Sequence, residues 1–253
     1  MSAKRTLSLR PDPGGTVPAT AMVMAAGLGK RMRPLTATRP KPLVQVAGKP
    51  LIDHVFDRLR SAGIKRAVVN VHYLADALEA HLKARVKDIE VVVSDERKRL
   101  LETGGGLIKA KDLIGDDPFI AVNSDNLWLD GPTDAIRALA AAWDDSRMDA
   151  LLLMVPLARA HGHKGKGDFH IDAFGRITGW RKPGRLAPFV YTGVQMMSPR
   201  LLVDAPEEVF STKIFWDRAI KAGRAWGLVH SGLWFDIGQP ESIGAAEAIL
   251  ADG

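Results

Sequence analysis

Between residues 25 and 43 the chain reads Ala25-Ala26-Gly27-Leu28-Gly29-Lys30-Arg31-Met32-Arg33-Pro34-Leu35-Thr36, then Arg39-Pro40-Lys41-Pro42-Leu43. Glycines take positive φ readily and let backbone N–H groups turn inward on an anion, so Ala26, Gly27 and Gly29 suit a phosphate nest. Lys30, Arg31 and Arg33 add charge-assisted donors, and the prolines on either side of Lys41 fix the backbone so that its ammonium is aimed. The segment therefore reads as a receptor for a nucleoside triphosphate. Two other phosphate loops are excluded: Met32 stands where the dinucleotide fingerprint needs its third glycine, and the Gly-Lys-Ser/Thr of the P-loop is absent.

Two carboxylates stand at the ends of apolar runs, Asp125 after Phe119 to Val122 and Asp236 within Trp234-Phe235-Asp236-Ile237-Gly238. Aspartates often cap turns, but a pair at predicted strand ends beside a phosphate loop suits a hard cation. Mg2+ typically takes one or two carboxylates together with phosphate oxygens and water. Leu101-Glu102-Thr103-Gly104-Gly105-Gly106 puts three glycines at a helix start, where their entropic cost is explained by a flat ligand such as a nucleobase lying against the backbone. His161-Gly162-His163 lacks a third ligand at a usual metal spacing, so the basic segment from His161 to Phe169 is not read as a metal site.

Elements that must position these residues follow from periodicity. The run Ala21 to Ala26 predicts a buried strand, Leu51 to Ala62 an amphipathic helix stopped by Gly63, Arg66 to Val71 a strand and Ala75 to Lys83 a helix. Glu90 to Val93 predicts a third strand, Gly104 to Leu113 a helix capped by Thr103, and Phe119 to Val122 a fourth strand. This alternation implies a Rossmann-like α/β fold with a mostly parallel sheet, helices on both faces and ligands beyond the carboxyl strand ends. From Leu151 onward short strands dominate, at Leu151 to Val155, Asp168 to Ile171, Arg176 to Trp180 and Phe189 to Gln195. Helices are expected at Thr212 to Ala222 and Pro240 to Leu250, and this half reads as a smaller sugar-binding lobe on the same sheet.

The chain has 253 residues, 46% of them hydrophobic, enough for one domain with a substantial core. Residues 1 to 18 are expected to be a flexible tail and 19 to 253 one catalytic domain. The absence of cysteine excludes disulfides, thiolate metal sites and a cysteine nucleophile. Pro11, Pro13, Gly14 and Gly15 arrive before any apolar signal core, and the longest apolar stretch, Ala150 to Ala158, is too short for a membrane span. A cytoplasmic enzyme without a membrane or obligate protein partner is the expectation. A formal charge of +6 is not accompanied by aromatics interleaved with basic residues, which argues against nucleic acid and fits small polyphosphate substrates.

The Ala-Gly-x-Gly-x-Arg, Pro-Leu-Thr and Pro-Lys-Pro elements resemble the signature of the sugar-1-phosphate nucleotidyltransferases, which make NDP-sugars. The resemblance implies that Arg31 and Lys41 contact triphosphate, that Asp125 and Asp236 hold Mg2+, and that Glu102, Gly104 and Gly105 meet base and ribose. It extends from Ala21 to the end. The string from His161 to Phe169, together with Leu-Glu-Thr-Gly-Gly-Gly and Val122-Asn123-Ser124-Asp125, is most similar to the N-acetylmuramate-α-1-phosphate uridylyltransferase branch. That likeness implies sugar-side contacts from Asn123 and Asp168 and a small floor beneath the sugar at Thr192 and Gly193. Trp180-Arg181-Lys182-Pro183 resembles a Glu-Lys-Pro segment whose lysine holds the sugar phosphate, which would be Lys182. Arg181 replaces the glutamate and could pair with the carboxylate of a muramic acid.

The implied reaction transfers UMP from UTP to a sugar 1-phosphate, most simply N-acetylmuramic acid α-1-phosphate in peptidoglycan recycling. The Gly-rich segment does not distinguish uracil from guanine. A mannose- or heptose-1-phosphate guanylyltransferase and a non-catalytic nucleotide-sugar-binding regulatory protein are the competing readings.

Overall fold

Apolar runs alternate with amphipathic segments through the first 123 residues, and each run becomes a strand followed by a covering helix. A computed structural model describes residues 13–206 and 209–251. In order these are β1 (Thr20–Met24), β2 (Gln45–Val46), β3 (Lys49–Pro50), α1 (Leu51–Ala62), β4 (Arg66–Val71), α2 (Ala75–Arg85), β5 (Glu90–Asp95), α3 (Glu102–Ile114) and β6 (Phe119–Asn123). The second half adds β7 (Leu127–Leu129), α4 (Ala135–Ala142), β8 (Ala150–Pro156), β9 (Ala160–His161), β10 (Phe169–Ile171), β11 (Ile177–Trp180) and β12 (Phe189–Met197). It ends with α5 (Lys213–Lys221), β13 (Ala225–Val229), β14 (Leu233–Phe235) and α6 (Glu241–Ala251).

The main sheet runs in the order β11-β10-β12-β6-β1-β4-β5, with β8 and β13 attached alongside β12. Strands β6, β1, β4 and β5 are parallel, so their carboxyl ends lie on one edge. Strand β12 runs antiparallel to β6, β8 and β10 and joins the halves. It pairs with β10 at Phe189 and with β6 only from Val194, so residues 190–193 pass the open ends of both neighbours. A small sheet, β7-β14-β9, stands beside it.

Side chains alternate across each strand, so Ala21 and Val23 join a core with α1, α2 and α4, while Met22 joins a second core with α3 and α5. Gly63 ends α1 in the left-handed region at φ 96°, as its position predicts. Helix α4, which the periodicity reading did not anticipate, is capped by Asp134, whose carboxylate accepts from the N–H groups of Ile136 and Arg137 at 3.0 Å each. Strand β1 stops at Met24 rather than Ala26, because the Ala25 N–H is taken by a side chain of β4 instead of a neighbouring strand. Of the expected tail, residues 1–12 lie outside the described residues, Val17 packs on the core and Pro18 is buried. Among the described residues no helix is long and apolar enough to cross a membrane.

Helix α3 begins two residues before the predicted start, and its glycines lie inside the first turn. Gly104, Gly105 and Gly106 are all buried, and the N–H groups of Gly104 and Gly105 donate to the Phe210 carbonyl at 2.8 and 3.2 Å. A Cβ on Gly104 would run into the Phe210 ring. Alanine there gains about 1 kcal/mol of helix propensity but costs about 1–3 kcal/mol of overpacking, so the clash decides the sign. Gly104→Ala is expected to lower Tm by several degrees in a thermal melt, and Phe210→Ala in the same chain should recover part of that loss.

Candidate active site

Parallel register sets Asn70, Met24 and Asn123 side by side at the carboxyl ends of β4, β1 and β6. The loop that follows β1 is tied from below: the Ala25 N–H donates to Asn70 Oδ1 at 2.6 Å, and Asn70 Nδ2 donates to Glu96 Oε1 at 2.8 Å. Glu96 Oε2 accepts from the N–H of Leu101, just before α3, at 3.2 Å. Asn70 and Glu96 are 2% and 1% exposed, and burial pushes the Glu96 carboxyl above its ordinary value. A Cβ at Gly106 would stand 2.9 Å from both side chains, which accounts for that glycine.

Gly29 adopts φ 61°, and its carbonyl accepts from the buried Thr36 hydroxyl at 2.8 Å, which folds the loop back on itself. Single turns of 3-10 helix at Lys30–Met32 and Lys41–Leu43 then carry the cations. Lys41 is mostly buried and forms an ion pair with Asp125 across 84 positions of sequence. Asp125 itself is held in the turn after β6, where the N–H of Ser124 donates to the Met24 carbonyl at 3.0 Å.

The small sheet delivers the second carboxylate. Phe235 of β14 lies opposite Leu127 and beside His161, and the next N–H, that of Asp236, donates to the His161 carbonyl at 2.9 Å. A carboxylate can only accept, so His163 Nδ1 donates to Asp236 Oδ2 at 3.0 Å. That bond raises the His163 imidazole above its ordinary value. Gly238 leaves room beside this pair, since a Cβ there would meet Asp236 Oδ1 at 3.0 Å and Arg31 Nη1 at 3.3 Å.

Two adjoining cavities result. The larger, of about 440 Å³, is lined by Ala26, Gly27, Gly29, Lys30, Arg31, Lys41, Glu102 and Asp125 among others. The smaller, of about 180 Å³, shares Arg31, Lys41, Asn123 and Asp125 with it and adds His163, Asp168, Thr192, Gly193 and Asp236. Arg31, Lys41 and both aspartates therefore face one volume, although the chain separates them by up to two hundred positions.

Other expected contacts fall differently. Gly104 and Gly105 do not line these cavities; the bareness of Gly104 accommodates Phe210, both N–H groups are used internally, and the larger cavity is lined at this end by Leu100, Glu102 and Thr103. Lys182 lies on an exposed turn outside both, and the Arg181 guanidinium donates to the Arg185 carbonyl at 3.4 Å on that turn. The Thr192 hydroxyl is spent on the Leu153 carbonyl at 2.9 Å. Gly193, at φ 86°, is required because a Cβ would stand 2.7 Å from Asn126 Nδ2 and 2.9 Å from Asn123 Nδ2. Asp168 Oδ2 accepts from the Tyr191 N–H at 2.9 Å. Sequence reasoning missed Asn70, Glu96 and His163; for His163 its place in the basic segment was the available signal, and Asn70 and Glu96 gave none.

Residues 20–253 match the family model described as nucleotidyl transferase. The chain belongs to this family. It is 46% identical over 238 residues to N-acetylmuramate alpha-1-phosphate uridylyltransferase of Caulobacter vibrioides, covering 93% of this chain and 98% of that one. It is 32% identical to the enzyme of the same name from Neisseria meningitidis, over 90% and 97% of the two chains. The structure of HddC from Yersinia pseudotuberculosis superposes with a TM-score of 0.75 at 23% identity, over 92% and 99%. A nucleotidyltransferase must bring two polyanions together, and the cations and carboxylates of the shared wall are suited to that task. Among the described residues no group of three or more His, Asp or Glu side chains could hold a metal ion.

As the loop after β1 and the start of α3 are joined through Asn70, Asn70→Ala leaves the Ala25 N–H and Glu96 Oε1 buried and unpaired, at a cost of about 1–3 kcal/mol per lost partner. Steady-state kinetics should show KM for the nucleoside triphosphate rising by roughly tenfold while KM for the sugar phosphate stays within about twofold.

Proposed function

We propose that this nucleotidyltransferase moves the uridylyl group of UTP onto N-acetylmuramic acid α-1-phosphate, giving UDP-N-acetylmuramic acid and pyrophosphate. The observation that carries this reading is the convergence of Arg31, Lys41, Asp125 and Asp236 on one small cavity, which shares the first three with the larger cavity beside it. The substrate is taken from the relatives in Caulobacter vibrioides and Neisseria meningitidis.

In the step, an oxygen of the sugar phosphate forms a bond to the α-phosphorus of UTP while the bond from that phosphorus to the bridging oxygen of pyrophosphate breaks. A phosphate monoester with a second pKa of about 6 is already largely dianionic at neutral pH, so no side chain need remove a proton. The chain's work is positioning and charge neutralisation. Backbone N–H groups from Ala26 to Gly29 and the Lys30 and Arg31 side chains would hold the triphosphate in the larger cavity, with Glu102 and Thr103 beside base and ribose. Asn123, Asp168 and the floor at Thr192 and Gly193 would orient the sugar phosphate in the smaller one.

Hard carboxylate oxygens on one wall fit magnesium, and Asp125 and Asp236 would hold it. When bound, the ion neutralises phosphoryl charge as the bond to the leaving group breaks. Lys41 would then exchange its ion pair with Asp125 for a phosphate oxygen, and His163 would keep Asp236 oriented. Residues 19–253 act as one catalytic unit, and the product would feed cell-wall precursor recycling in the cytoplasm.

A pyrophosphate-release panel tests the reading. UTP with N-acetylmuramic acid 1-phosphate should give the highest kcat/KM, and GTP with mannose 1-phosphate less than about one hundredth of it; the reverse order would overturn the assignment. Chelation with EDTA should remove turnover and excess Mg2+ restore it. Asp125→Asn and Asp236→Asn should each lower kcat by roughly 10²–10³-fold with an unchanged circular dichroism spectrum; near-normal turnover in either would sink the metal role.

A further inference from the structure

A third cavity, of about 280 Å³, adjoins the other two, and its interior beyond Thr103, Asn123 and Asp168 has no role assigned above. It shares Asn123, Asp168 and Tyr191 with the small cavity, so these three residues form its mouth. Its interior wall is aromatic. Trp180 lies with its ring centroid 4.3 Å from Phe169 and 5.8 Å from Trp216, and Tyr191 packs edge-on against Trp216 at 4.8 Å.

The polar tips of this wall are mostly spent inside the protein. Trp216 Nε1 donates to the buried Gln195 Oε1 at 2.8 Å, and Trp180 Nε1 donates to Asp217 Oδ1 at 2.5 Å. Two charged side chains line the cavity: Asp168 at the end shared with the small cavity and Lys213 at the exposed start of α5. The Lys213 ammonium stands 5.7 Å from the Trp180 ring centroid and makes no ion pair with the described residues, while Asp217, one turn further along α5, is engaged by the indole. The Tyr191 hydroxyl has no hydrogen-bond partner among the described residues, and burial pushes its phenol up, so it stays a neutral donor.

We propose that Lys213 reads a carboxylate carried on the sugar ring, and that this cavity makes the enzyme selective for acidic hexose 1-phosphates over their neutral counterparts. This rests on the proposed transfer to a sugar 1-phosphate. The ring would sit at the mouth, with its phosphate toward Arg31 and Lys41 and its hydroxyls toward Asp168 and Tyr191. An acidic ether substituent then extends along the aromatic wall toward the ammonium at the exposed start of α5. A neutral sugar leaves Lys213 with water. The arrangement moves the acid-reading role from Arg181, whose guanidinium stays on the exposed turn, to the first residue of α5.

The experiment compares Lys213→Ala, Lys213→Gln and Arg181→Ala with the unmodified enzyme, measuring kcat/KM for N-acetylmuramic acid 1-phosphate and N-acetylglucosamine 1-phosphate, which differ by the lactyl group alone. Equilibrium binding of glucuronic acid 1-phosphate and glucose 1-phosphate is measured in parallel. Charge-assisted contacts of this kind correspond to about 10- to 100-fold in affinity. Both Lys213 variants should lower the acidic-to-neutral ratio by that factor in both pairs, with KM for UTP unchanged, whereas Arg181→Ala leaves the ratios within about twofold. A ratio that Lys213→Ala does not move, or that Arg181→Ala collapses instead, overturns the inference. Failure of the unmodified enzyme to use N-acetylmuramic acid 1-phosphate would count against the proposed substrate alone. The glucuronic acid to glucose binding ratio would still decide the role of Lys213.

Discussion

A buried amide and a buried carboxylate hold the loop after β1 and the start of α3 in one frame. Asn70 satisfies the first loop N–H after β1, Glu96 satisfies the amide, and the same carboxylate receives the N–H that leads into α3. An ionisable group at 1% exposure is costly to bury unless each oxygen is bonded, and here both are. The network cannot slide by one residue without leaving a buried donor empty, because the parallel register fixes Asn70 beside Met24. The loop after β1 and the segment leading into α3 are therefore fixed relative to each other, which is the condition under which dipoles contribute to catalysis without reorganising.

Charge is the second constraint. The shared wall carries cations to receive two polyanions and carboxylates to receive a cation, and left alone these groups would repel or be heavily hydrated. The fold resolves this by pairing Lys41 with Asp125 and His163 with Asp236, each pair drawn from different elements. Partial exposure keeps these contacts exchangeable, since ion pairs reached by solvent are weak and can be traded for phosphate or metal. Gly238 leaves room for Arg31 beside Asp236, and all four charges line one small cavity.

How much of this the sequence disclosed depended on how local each feature is. The placement of Gly29, Arg31 and Lys41 around one cavity was legible because they stand close together in the chain, and the two aspartates stood out because each follows an apolar run. Asn70 and Glu96 were not, since their meaning arises from contacts spanning 45 and 26 positions that only the sheet register creates. The bond between His163 and Asp236 spans 73 positions and needs the small sheet. Glycines misled in one respect. A bare backbone is equally required by a ligand and by an internal neighbour, and for Gly104 the neighbour is Phe210. Strand β1 was overextended for a related reason: apolar composition continues through Ala26, but pairing ends when a side chain captures the Ala25 N–H.

The two halves of the site differ in how they are built, and the difference bears on specificity. The nucleotide side rests on parallel strands covered by helices on both faces, a frame in which each loop is bounded by two buried elements. Around the sugar side, β12 changes partner between Phe189 and Val194, and the opening left beside residues 190–193 admits Asn123 and Asp168 together with the aromatic wall. Depth there is set by α5, which Thr212 ties to Thr103 of α3 by a bond of 2.9 Å. The same α3 thus lines the larger cavity at one side through Glu102 and Thr103 and anchors the start of α5 at the other. A change in the length or charge at the start of α5 would alter which sugar fits while leaving the Asn70–Glu96 frame, and so the chemistry of transfer, intact.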